Sequence, residues 1–146
     1  MAIARPTHRR LFAVIDHAFG RLSRQANSLL AHTGVKPAQA MALVYLGYHD
    51  GCQLSDLAEG VGNNNAAITG LVNRMENSGL VTRRPLQSDG RGKTVHLTPK
   101  GLSVRAQVMD ILRPLDEKLS HGFTDIEMDT IHRFLHAAST LEFDRP

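Results

Sequence analysis

The sequence predicts a mainly α-helical protein with a small β-wing: a winged helix-turn-helix carried between long N- and C-terminal helices. Three observations predict it. Apolar residues recur at three- and four-residue steps toward both ends of the chain. Two short apolar stripes joined by a glycine turn occupy residues 54–79. An Asp-Gly turn then separates two alternating segments within residues 80–97.

Taken in order, the first helix is predicted over about residues 9–32. Leu11, Ile15, Ala18, Leu22, Ala26 and Leu29 share one of its faces, and Gly34 ends it. Pro37 suits the first position of a second helix, over 37–49, because its fixed φ fits there and its missing N–H costs nothing. Ser55 is expected to cap a short third helix carrying Leu57, Ala58 and Val61, with Gly62 in the turn that follows. A fourth helix starts at Asn64 or Asn65, buries Ile68, Leu71, Val72 and Met75, and stops at Gly79. Residues 80–86 and 93–97 pair as strands around the loop Ser88-Asp89-Gly90-Arg91-Gly92. Thr98-Pro99 restarts a long helix with Pro114 as a kink candidate, and Thr124 to Glu127 has the form of a capping box opening the last helix. The terminal helices hold more apolar surface than the small central module can cover, which predicts packing against a second copy.

Composition bounds the function. The chain has 146 residues, 42% of them hydrophobic and 21% charged, enough for one globular domain, 1–146. No apolar run approaches the roughly 20 residues of a membrane span, and the N-terminus lacks the apolar core of a secretory signal. A single cysteine leaves no intramolecular disulfide, and the expected compartment is the cytoplasm. No P-loop, GxGxxG, HExxH or Ser-His-Asp order occurs, so no enzyme is expected and no cofactor is called for. His132 and His136 have helical spacing but no companion carboxylate pattern; they read as an exposed face, not a metal site.

Charge is the sharper signal. Between Arg74 and Arg105 seven Lys/Arg face two acids, a local charge of +5 in a chain whose formal net charge is +3. Residues 1–36 carry +5 as well, whereas 37–73 carry −3 and 106–146 carry −4. Localised positive charge on a hairpin beside a helix is the footprint of phosphate contact.

The run LVNRMENSGLVTRRPLQSDGRGKTVHLTPKG, Leu71 to Gly101, resembles the multiple-antibiotic-resistance regulator (MarR) family of winged helix-turn-helix transcription factors. It shows that family's recognition-helix end, Gly-Leu-Val strand start, Asp-x-Arg wing tip and Leu-Thr-x-x-Gly; Leu57-Ala58 and Gly62 fall where the first helix and turn of its motif lie. Asn63, Gly70 and Lys36 depart from its pattern. The resemblance implies a homodimer on a palindromic double-stranded DNA operator, usually as a repressor, with release by a small aromatic or phenolic effector. It also implies a DNA-binding lobe over 37–99 and a dimerisation lobe from 1–36 with 100–146.

Within that frame the helix from Asn63 to Asn73 carries no charge at all. Asparagine can pair with adenine N6 and N7, and Thr or Ala can touch a thymine methyl. Asn64, Asn65, Ala66, Thr69 and Asn73 are therefore the candidates for DNA contact, although any of the asparagines can instead cap the helix. Arg74, Arg83, Arg84 and Lys93 are candidates for phosphates. Arg91 is the candidate for the minor groove, with Asp89 orienting it. His17, Gln25, Met41, Tyr45, Tyr48 and His49 are the candidates to line an effector cavity; ordinary packing is the open alternative. Cys52 reads as a half-buried thiol rather than an oxidant sensor. A second function stays open, a winged-helix module that binds a protein partner and no operator.

Overall fold

The computed structural model describes residues 10–62, 64–87 and 92–142. They form α1 (Leu11–Leu30), α2 (Pro37–Tyr48), β1 (Cys52–Gln53), α3 (Leu54–Gly60), α4 (Asn65–Asn77), β2 (Val81–Pro85), β3 (Lys93–Leu97), α5 (Pro99–Ser120) and α6 (Asp125–Ser139). The chain divides into two compact units, residues 1–112 and 113–146.

In the first unit, the core lies where three helices meet the sheet. Leu43 and Leu46 of α2, Leu57 of α3, and Ile68, Val72 and Met75 of α4 are fully buried with Val95 of β3. The four apolar positions expected to face inward from α4 all do. Leu30, Ala40 and Val108 form a smaller cluster that joins α1, α2 and the middle of α5.

Local chemistry sets the element ends. Pro37 is the first residue of α2, and the Gln39 side chain accepts the Lys36 backbone N–H at 3.1 Å, so this helix is capped without a Ser or Thr. The expected Ser55 cap is not formed. The helix starts two residues earlier, at Leu54 with Gln53 as its N-cap, and Asp56 accepts the backbone N–H of Gln53 at 3.2 Å. Gly62, at φ +68°, carries the turn to α4, and Gly79, at φ +73°, ends that helix. Thr98 accepts the N–H of Gly101 at 3.0 Å, the cap expected ahead of Pro99.

The sheet has the order β1-β3-β2, all antiparallel, and Arg83 pairs with Val95 and Arg84 with Thr94. β1 is a third strand that the hairpin pattern did not foretell, paired through Cys52 with Val95. Asp50 secures it by accepting the N–H of Leu97 at 2.7 Å.

The face of α1 expected to be apolar is only partly covered in the single chain. Ile15, Leu22 and Ala26 are half-buried, while Leu11 and Leu29 are exposed, as are Phe12, Val14 and Phe19. In the second unit, α5 runs through Pro114 to Ser120 and α6 opens with the expected capping box. Thr124 accepts the N–H of Glu127, whose carboxylate accepts the N–H of Thr124 at 2.8 Å. Leu119, Phe123, Ile126, Phe134 and Leu135 are exposed in this unit, and His132 and His136 also lie on its outer surface.

Candidate nucleic-acid interface

α4 presents one face to the core and the other outward. Its buried stripe holds Ile68, Leu71, Val72 and Met75; Asn65, Ala66, Thr69, Asn73 and Arg74 are all exposed on the opposite side. Asn64 is the N-cap, its Oδ1 accepting the Ala67 N–H at 2.8 Å. One asparagine is thus spent on capping, with its amide N–H2 still available as a donor. The Thr69 hydroxyl donates to the Asn65 carbonyl at 2.8 Å, so it is turned onto its own helix.

Gly70 and Arg74 form one feature. A Cβ built at Gly70 would lie 3.4 Å from Nη1 of Arg74, so the guanidinium lies back over the glycine, one turn toward the middle of the exposed face. In the sequence alone, Gly70 is a missing side chain and Arg74 a residue beyond the presented face. The spacing i, i+4 carries the connection.

The seven basic residues of the 74–105 stretch separate by position. Lys100 donates from Nζ to the Ser78 carbonyl at 2.7 Å, completing the end of α4. Arg105 lies against Gly47 with its Cζ 5.2 Å from the Tyr48 ring centre, a cation–π contact within the first unit. Arg83 turns onto α4: Nη1 is 3.7 Å from Glu76 Oε2, and Nη2 donates to Asn73 Oδ1 and to the Thr69 carbonyl. Arg74, Arg84 and Lys93 remain exposed. Arg91 and Asp89 lie outside the described residues. Arg84, Lys93 and Pro85 line an open groove of about 310 Å³ with Arg83 and Glu76. Glu76 had no part in the expected site; its acid is seven residues from Arg83 and on another element, a pairing with no local sequence signal.

The effector-cavity candidates take the following places in the single chain. His17 and Gln25 line an open depression of about 460 Å³ on α1 with Arg21, Arg24 and Ser28. Met41 and Tyr48 are exposed. Tyr45 stacks on His49 with ring centres 4.4 Å apart, and its ring fills the space beside Gly60. Burial pushes the Tyr45 hydroxyl pKa up, with the Cys52 thiol and the carboxylates of Asp56 and Glu59 adding to it. Burial, then the Asp56 carboxylate, also pushes the Cys52 thiol up, which disfavours the reactive thiolate. Among the described residues no three His, Cys, Asp or Glu side chains gather as a metal-binding group. Nor is any described helix long and apolar enough to cross a membrane.

A compact helix-turn-helix, a hairpin beside its second helix and exposed cations on both define a winged helix-turn-helix protein. The MarR family model matches residues 33–92, the helix-turn-helix and the first strand of the wing, and the transcriptional regulators and MarR structures that the chain also resembles support that family. The family is one of regulators, not enzymes. The HTH-type transcriptional regulator TtmR of Methylorubrum extorquens is 33% identical over 96 residues, 66% of this chain and 47% of that protein. The chain spans less than two thirds of the length of TtmR and of two further curated relatives it matches. Among solved structures, NadR in complex with 4-hydroxyphenylacetate superposes with a TM-score of 0.84 at 19% identity, covering 97% of this chain and 100% of that one. A mutant of MarR from E. coli complexed with operator DNA superposes with a TM-score of 0.72 at 23% identity, covering 88% and 92%. These likenesses establish the fold.

Proposed function

We propose that the protein is a dimeric, sequence-specific DNA-binding transcriptional regulator, a cytoplasmic repressor at a palindromic operator that a small aromatic or phenolic effector releases. The observation that carries this reading is the composition of the exposed face of α4. It offers amides, a methyl and one arginine where a groove-reading helix needs them, and Arg84 and Lys93 stand beside it on the hairpin. Asn64, Asn65, Ala66, Thr69 and Asn73 are then at or near base edges. Arg74, Arg84 and Lys93 contact phosphates, and Arg91 enters the minor groove with Asp89 orienting it. The MarR relative complexed with operator DNA and the NadR complex with a phenolic acid support the two kinds of partner.

Dimerisation rests on what each unit leaves uncovered. α1 exposes Phe12 and Phe19, at 84% and 68%, and the second unit exposes Phe123 and Ile126, at 52% and 79%. Apolar side chains in such numbers are the material of an interface between copies. A twofold dimer would set two α4 helices about one turn of duplex apart, roughly 34 Å.

Sedimentation equilibrium together with duplex binding by fluorescence anisotropy tests the reading. A dimer that binds duplex in low salt, loses it as salt rises, and is weakened by Asn65→Ala supports it. A monomer, or a dimer indifferent to duplex at about 50 mM salt, excludes it and favours a protein-interaction module.

A further inference from the structure

Three acceptors on α4 stand in one row at i, i+4 and i+7: the Thr69 carbonyl, the Asn73 amide oxygen and the Glu76 carboxylate. A single side chain from β2, that of Arg83, meets all three. The backbone N–H of Arg83 also donates to Glu76 Oε1 at 3.1 Å, so main chain and side chain of one residue both dock the hairpin on the helix. The Arg83 side chain is only 17% exposed, and its Nε is shielded from solvent. Arg84, one residue on, is exposed.

Two consequences follow from donor chemistry. A guanidinium has N–H donors and no acceptor, so the Asn73 group it meets must be Oδ1. The Asn73 N–H2 then points the other way, and Asn73 is presented as a donor. A guanidinium already held by a carboxylate, an amide and a carbonyl is also poorly placed to take a phosphate, which needs free N–H groups facing solvent.

Given the DNA-binding role proposed above, on which this assignment rests, we infer that Arg83 is a positioning and specificity residue, not a phosphate contact. It fixes the wing against α4 and locks Asn73 with its amide N–H2 outward. Asn73 then reads an acceptor, such as purine N7, guanine O6 or thymine O4, and does not make the paired contact to adenine N6 and N7. Lysine cannot replace Arg83, because one ammonium on a flexible stem does not span three acceptors in a plane.

The test compares the wild type with Arg83→Ala, Arg83→Lys, Asn73→Ala and the Arg83→Ala/Asn73→Ala double variant. Each is titrated with salt on the selected duplex and put through binding-site selection on random duplexes. Arg83→Ala should leave the salt slope unchanged and lower discrimination at the base read by Asn73 roughly tenfold. Arg83→Lys should lose as much discrimination as Arg83→Ala. In the Asn73→Ala background, Arg83→Ala should cost no further discrimination, the non-additivity of a coupled pair. Circular dichroism identifies a variant that fails to fold; Arg83→Lys and Asn73→Ala then carry the comparison.

A salt slope that falls by about 0.9 per chain in Arg83→Ala and is restored by Arg83→Lys would make Arg83 a phosphate contact and overturn the assignment. Additive losses in the double variant would overturn it as well. A wild type that enriches no duplex defeats the DNA reading itself, a result distinct from either of these.

Discussion

Removing Arg84 should change how binding responds to salt by a calculable amount. Arg74, Arg84 and Lys93 are the exposed cations among the described residues of the α4-hairpin surface, which gives six in a dimer. Each neutralised phosphate contributes about −0.9 to the slope of log affinity against log salt, so these six give a slope of about −5.4. Affinity then falls roughly 10³-fold between about 50 and 200 mM salt. Arg84→Ala deletes two of the six, one per chain; the slope becomes about −3.6 and the fall over the same range roughly 10²-fold. Anisotropy titrations of a labelled duplex at five or six salt concentrations measure both slopes. Parallel lines for wild type and Arg84→Ala, offset or not, would refute the phosphate role of Arg84.

Other expectations are cheaper to check. Asn64→Ala removes the acceptor for the Ala67 N–H and should cost about 1 kcal/mol, seen as a melting temperature lower by a few degrees, whereas Asn64→Ser should keep most of it. The Cys52 thiol, pushed up by burial and Asp56, should react with Ellman's reagent at neutral pH more slowly than free cysteine; faster reaction would contradict this environment. Hydrogen bonds from the Thr124 backbone and hydroxyl hold the Glu127 carboxyl below its usual 4.5. A depressed folded value means that the stabilisation is complete above pH 4.5 and is lost as pH falls through the lowered value. Acid titration of helicity should therefore differ between wild type and Glu127→Gln below that pH and lose its Glu127-dependent part in the variant.

What could be read in the chain was what is local. The buried row of Ile68, Leu71, Val72 and Met75 follows from helical spacing, and the pairing of residues 81–85 with 93–97 follows from alternation around a glycine turn. Thr98-Pro99 and the Thr124–Glu127 box are short-range capping chemistry, and both formed. β1 went unseen because two residues, Cys52 and Gln53, hold no alternation to detect. Ser55 looked like the cap of α3, but the Asp56 carboxylate caps from inside the first turn and the cap falls two positions earlier, at Gln53.

The site was legible in its residue types and less so in its wiring. Positive charge was counted correctly, yet a count cannot say that Lys100 ends α4, that Arg105 lies on Tyr48, or that Arg83 folds back on Asn73. Each of those ties joins residues on different elements, and tertiary packing decides them. The effector candidates had even less to fix them: the sequence left a cavity and ordinary packing both open, and in the single chain Tyr45 lies against Gly60 and His17 on the exposed α1 surface.

The central claim is that α4 and its hairpin read DNA sequence in a paired arrangement. Binding-site selection with the purified chain on random duplexes tests it most directly. Selection should enrich an inverted repeat whose half-site centres lie about 10 base pairs apart. Recovery of duplexes with no shared sequence, or of a single unrepeated motif, would contradict it.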